Sequence, residues 1–173
     1  MTLNQVITRL QKIALGHKQI YHCFFGDMVE WLSNGNVQYP AVFINMNTGS
    51  ISKDERRQTW VFDIWFCDAA DVSAEAKNNE VEVLSDLSSI AADYKAMLVY
   101  SEYLNDWTVG ETSPLTFYSE KFEDIVIAAQ MTVSIDVRFD SNRCQVPTNQ
   151  IFENGSPLNG ILSEDGQFLL LES

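Results

Sequence analysis

The chain has 173 residues, with 24 acidic side chains against 11 basic ones and a formal net charge of −13. That length suits one domain with a real core, and 46% hydrophobic with 12% aromatic content excludes an acidic disordered chain. The acidity excludes gripping DNA by its phosphates, and no apolar run approaches the roughly 18 residues of a membrane helix.

Leu3, Val6, Ile7, Leu10, Ile13 and Ala14 recur at spacings of three and four, which predicts an amphipathic helix. Thr2 is placed to cap it and Gly16 to stop it. Tyr21 to Asp27 reads as an aromatic, turn-rich stretch. Asp27 is placed to cap a short helix through Met28, Val29, Trp31 and Leu32, ending at Ser33-Asn34-Gly35-Asn36. Pro40 opens a short strand over 41–46, and residues 47–57 read as a polar hairpin tip without periodicity. Gln58 to Asp68 alternates as a long strand, with Trp60, Phe62, Ile64 and Phe66 on one face. A second, longer helix is expected from about 74 to 100. Its single apolar stripe, Val83, Leu84, Leu87, Ile90, Ala91, Tyr94, Met97 and Leu98, suits a helix lying on a sheet. Residues 101–120 read as loop. Residues 125–139 alternate as a strand of about 50 Å, at about 3.3 Å per residue. A strand of that length is expected to bulge, to bend or to project beyond the domain. After Pro147 periodicity is lost, and an apolar patch appears at 168–171.

The fold class is therefore α+β. An antiparallel sheet with a long hairpin packs against one long helix and an N-terminal helix, with an extended C-terminal arm. The expected division is a domain over 1–145 and an extension over 146–173.

Charge is unevenly spread along this frame. Residues 1–57 carry a net +2, residues 58–137 carry −12, and residues 146–173 carry −4 with no base. Lys53, Arg56 and Arg57 form a basic cluster at the hairpin tip, with Asp54 and Glu55 between them. Opposite patches on one chain can pair with other copies or with a complementary partner. A solvated surface charged for solubility is the equal alternative.

Motifs for catalysis or cofactor binding are sparse. His17 and His22 are the only histidines, and with Cys23 they lack a zinc spacing. Asp68, Asp71 and Glu75 cluster where they would complement a helix N-terminus, a better reading than a metal site. There is no phosphate-binding loop, dinucleotide fingerprint or nucleophile elbow. No cofactor and no catalytic residue is expected. Asp63, mid-strand opposite the apolar face, is expected to face solvent or a neighbouring subunit. Cysteines 23, 67 and 144 lack a CxxC spacing and read as reduced thiols of a cytosolic product. The N-terminus, Met1-Thr2-Leu3-Asn4-Gln5, has no signal-peptide pattern.

The element order brings a family into view. The N-terminal helix precedes Gly26-Asp27-Met28-Val29-Glu30-Trp31-Leu32 and Tyr39-Pro40-Ala41-Val42-Phe43-Ile44. Then come Trp60-Val61-Phe62-Asp63-Ile64-Trp65-Phe66-Cys67-Asp68, the long helix and the strand at 125–139. Over roughly 1–145 this resembles the tail-terminator or tail-completion proteins of tailed bacteriophages, most of all those of crAss-like phages. The resemblance implies a non-enzymatic virion subunit in a ring, six-fold or a multiple, at the head–tail junction. A portal or connector lies above and tail proteins below, and DNA only passes through the lumen. Virion localisation, assembly in the bacterial cytoplasm and no membrane partner follow from it. Lys53, Arg56, Arg57 and Asp63 would sit at the subunit interface, with Phe168 and Leu169 in an arm gripping a neighbour. Two rivals stand beside this reading: an acidic DNA mimic that needs no ring, and a small metal enzyme using Asp68, Asp71 and Glu75.

Overall fold

The computed structural model describes residues 1–27, 31, 37–52, 56–69, 79–101, 105–118 and 126–138, together with the backbone of four short strands beyond residue 151. Helix α1 spans Leu3–Leu15 and buries Val6, Leu10, Ile13 and Ala14. Thr2 and Gln5 form a full capping box: the Thr2 N–H donates to Gln5 Oε1 at 2.9 Å, and the Gln5 N–H donates to Thr2 Oγ1 at 3.4 Å. Those bonds satisfy N–H groups that a helix start otherwise leaves unpaired. The N–H of Gly16 reaches the last carbonyls, Lys12 and Ile13.

Four elements follow: β1 (His22–Phe25), β2 (Ala41–Ser52), β3 (Arg57–Ala69) and helix α2 (Asn79–Val99). Then come β4 (Trp107–Val109), β5 (Leu115–Tyr118) and β6 (Val126–Arg138). They build one six-stranded sheet in the order β1-β2-β3-β6-β4, with β5 also on the outer side of β6. Only the β1–β2 pair is parallel. No helix among the described residues is long and apolar enough to cross a membrane.

The spine is the ladder between β3 and β6. It runs without a register break from Arg57 opposite Arg138 to Ala69 opposite Val126. Alternation puts Trp60, Phe62, Ile64 and Phe66 beside Ile127, Ala129, Met131, Val133, Ile135 and Val137, all buried under the two helices. Tyr94 of α2 is fully buried there, and its hydroxyl donates to the Leu10 carbonyl at 3.1 Å, tying the helices together. The other face is apolar at one end only. Ala41, Phe43, Cys67, Val126 and Ala128 are buried there beneath Phe24, Trp31, Val37 and Tyr39. Phe24 stacks between Trp31 at 4.3 Å and Phe43 at 5.4 Å. Toward the other end this face opens and turns polar.

Four expectations change. Residues 47–52 are not a loose tip. β2 continues to Ser52, pairing Thr48–Ser52 with Val61–Arg57 across a bulge at Asn47. The bulge shifts the side-chain phase by one, so the apolar alternation of 42, 44 and 46 resumes at 49 and 51. Gly49 then lies under the Trp60 indole, where an added Cβ would come within 3.1 Å of the ring. The turn-rich reading of 21–27 gives way to β1, and the loop of 101–120 to β4 and β5. The long strand neither breaks nor leaves the core, since Ile135 and Val137 stay buried near its end. It is the distal part of β2 that leaves the core, with Ile51 60% exposed. Of the short helix, Trp31 is described, with its N–H to the Asp27 carbonyl at 3.4 Å; the rest, and residues 70–78 before α2, lie outside the described residues.

Residues 1–140 and 141–173 form two separate units. In the second, Phe152–Glu153 pairs with Ser156–Pro157, and Gly160–Leu162 with Phe168–Leu170. Residues 168–170 of the terminal apolar patch thus belong to a local strand pair.

Leu87 is fully buried on α2 facing the sheet. Leu87→Ala is expected to cost about 2–5 kcal/mol, read as a lower urea midpoint with an unchanged slope.

Candidate functional site

The two ends of β3 carry opposite charge. At its start, Arg56, Arg57 and Arg138 line a cleft of roughly 350 Å³ with Asn105, Asp106, Thr108 and Asp136. The ladder makes Arg57 and Arg138 direct cross-strand partners, so their side chains share one face. Arg56 takes φ +50°, a left-handed backbone conformation uncommon for a residue with a Cβ. The two aspartates are already engaged. Asp106 accepts from Arg9 at 2.6 Å, while Asp136 accepts from the Thr59 hydroxyl at 2.6 Å and lies 3.9 Å from Arg57. Three lining arginines against two lining aspartates, one of them also bound to Arg9, leave the cleft basic in a chain of charge −13.

At the other end the sign reverses. Burial holds the Asp68 carboxyl above its usual range, and the nearby Asp86 carboxylate of α2 pushes it further up. The Ala69 N–H, donating to Asp68 Oδ1 at 2.8 Å, works the other way. Glu80, Glu82, Asp86 and Asp93 are exposed along α2. The one described base of that helix, Lys95, is turned away: its ammonium donates to the Gly110 carbonyl and, at 2.8 Å, to Ser113 Oγ. That pair of bonds pins the loop between β4 and β5, and burial lowers the Lys95 pKa.

Between the two ends lies a polar ladder on the open sheet face. Asp63 is half-buried, and both its oxygens are occupied. Asn47 Nδ2 donates to one at 2.8 Å, and the Thr132 hydroxyl to the other at 2.7 Å. The bulged Asn47 is thus anchored by Asp63. A carboxylate held this way within its own sheet has an intrachain role.

Of the residues singled out from sequence, Arg56 and Arg57 come together at the cleft, and Asp63 sits apart on the sheet. Lys53, like Asp71, Glu75 and Cys144, lies outside the described residues. Phe168 and Leu169 have their backbone in the last strand of the second unit. Sequence reasoning missed Arg138 and Asp86, which enter only through strand register and helix packing. Among the described residues no group of three or more His, Cys, Asp or Glu is arranged to hold a metal. Cys23 and Cys67 are thiols pushed up to about 12 by burial, so both stay protonated at neutral pH. His17 lies 3.4 Å from Asp93, and the His22 ring accepts from the Gln38 N–H at 3.1 Å.

No model of a known protein family matches this chain, and no curated protein matches its sequence.

Asp63→Ala is expected to cost about 1–3 kcal/mol by leaving Asn47 and Thr132 without their acceptor, measured by urea unfolding. Asp68→Asn is expected to act in the opposite direction. An acid with a raised folded-state pKa favours the folded state when protonated and loses that advantage as pH rises through its folded pKa. The variant should therefore melt higher than the parent at pH 7. The difference should vanish below about pH 3.9, the ordinary carboxyl value.

Proposed function

We propose that this chain is a structural subunit of a ring at the head–tail junction of a tailed phage, joining a connector to the tail while DNA passes. The observation that carries the reading is the opposite charge at the two ends of β3. Arg57 and Asp68 are eleven residues apart on one extended strand, so about 36 Å at 3.3 Å per residue. Alternation also turns them to opposite faces. They cannot meet within one copy, and a contact between them runs head to tail from copy to copy. Such a heterologous contact closes into a ring when its rotation divides the circle. The resemblance of residues 1–145 to tail-terminator proteins supports the same reading. An acidic wall facing a lumen would also repel passing phosphate and leave the channel non-sticky.

The four exposed acids of α2 favour one rival, a DNA mimic that presents a row of carboxylates without assembling. Native mass spectrometry of the full chain separates the two. A closed oligomer, six-fold or a multiple, is expected, with more than one copy per complex dissociating as salt rises. A monomer at every protein concentration would remove the ring. Arg56→Glu with Arg57→Glu is expected to abolish assembly while leaving the melting temperature of the fold close to the parent's, because both side chains are exposed.

A further inference from the structure

One outer edge of the sheet lies open beside a groove. Strand β5 pairs with β6 alone. The Thr132 N–H donates to the Pro114 carbonyl at 3.2 Å, so the bonded pairs of this ladder continue at 116 and 118. The N–H and C=O groups of Leu115 and Phe117 therefore point away from β6, and among the described residues no strand meets them. Residues 115–118 carry neither charge nor proline, the usual protections of an exposed edge. Register sets Leu115 beside Met131 and Phe117 beside Ala129, on the face that carries the helices. Phe117 is nevertheless 46% exposed.

On that face a groove of roughly 420 Å³ runs between α2 and β5. Its helix wall is Ser88, Ala91, Ala92 and Lys95, with Leu115 and Met131 on the sheet side. Three of the four wall residues are small, which leaves the depth that an incoming side chain needs. Lys95 stands where the chain enters β5, giving two of its three N–H groups to the Gly110 carbonyl and the Ser113 hydroxyl. Both acceptors are neutral. Glu111 also borders the groove, and among the described residues no ion pair joins an acid to Lys95.

We propose that β5 and α2 form a docking site for an extended peptide segment of a partner protein, one that turns apolar side chains and a carboxylate to the same face. The segment adds a strand to β5 and bonds backbone to backbone with Leu115 and Phe117. Its alternate apolar side chains fill the groove against Leu115, Phe117 and the helix alanines, and its carboxylate meets the third N–H of Lys95. Backbone bonds supply the affinity, while groove and lysine supply the selection. A basic segment is disfavoured, since it would set its own cation against Lys95. This inference goes beyond the ring, because an isolated copy carries the same edge and the same groove.

The test uses the full chain and labelled synthetic peptides, read by fluorescence anisotropy and by amide hydrogen exchange followed with NMR. The probe is acetyl-Thr-Val-Thr-Leu-Thr-Asp-Thr-amide, whose Val, Leu and Asp share one face of a strand. The reversed order is a second probe, because a strand can add in either direction. One of the two is expected to bind saturably and to slow exchange at the Leu115 and Phe117 amides. Lysine in place of the peptide's aspartate is expected to weaken binding by about tenfold or more, as is methylation of its backbone nitrogens. Ala92→Phe fills the groove from an exposed helix position and is expected to do the same. Circular dichroism checks the fold of that variant. If it unfolds, Ala92→Glu replaces it by setting a carboxylate three residues from Lys95.

Binding of neither probe overturns the proposal, as does equal binding of the aspartate and lysine peptides. Binding that leaves both amides exchanging fast, or that is indifferent to the change at Ala92, overturns it too. Amides at 115 and 117 that gain protection as the protein alone is concentrated would give the edge to a second copy and reject the partner segment. None of these outcomes bears on the ring reading, which draws on neither β5 nor the groove.

Discussion

Everything in the first unit hangs on the unbroken ladder between β3 and β6. Thirteen consecutive residue pairs hold one register. A slip of a single position would turn Phe62, Ile64, Val133 and Ile135 out of the core and Asp63 and Thr132 into it. The core therefore enforces the register, and the register decides every other placement. It sets Thr59 beside Asp136 and Asp63 beside Thr132, and it puts Arg57 against Arg138. The two helices read the same ladder from above, and their mutual tie through Tyr94 is set by how they lie on it. A polar surface arrangement is thus dictated by apolar packing on the reverse side.

That coupling bears on the functional reading. The charges at the ends of β3 are not loose surface residues whose positions drift. They are fixed by an extended strand whose middle is buried, which acts as a rigid spacer of about 36 Å. In the proposed ring, the angle between neighbouring copies would follow from the twist of the sheet across that distance. A flexible linker carrying the same charges would give avid but shapeless association; a strand gives one geometry. The acidic helix face and the arginine cleft thereby gain direction as well as sign.

The sequence exposed what is local or strongly periodic. Helix α1 and its capping box are legible because cap and stripe lie within a few residues of each other. Strands β3 and β6 announce themselves by alternation, since one face of each meets the helices along its whole length. Strand β1 was hidden because it is only four residues long and apolar on both sides, with Cys23 toward the helices and Phe24 against Trp31, so no alternation is written. Strands β4 and β5 are three and four residues long, too short for a period to register. The polar part of β2 was hidden by the bulge, which reverses the phase where the apolar residues run out. At the candidate site, Arg56 and Arg57 were legible as a charge cluster. Their companions were not, because Arg138 and Asp86 come near only when strands pair and helices dock.

The bulge at Asn47 has a consequence for how this chain can change. It divides the hairpin into a root, whose residues are committed to the core, and a distal half whose side chains are largely exposed. The extra residue works like a joint between two separately read frames. Two-residue additions beyond it would lengthen the reach of the hairpin and leave every buried contact of the root in phase. A lineage could thus retune how far the hairpin extends past the core without repacking the domain that carries it.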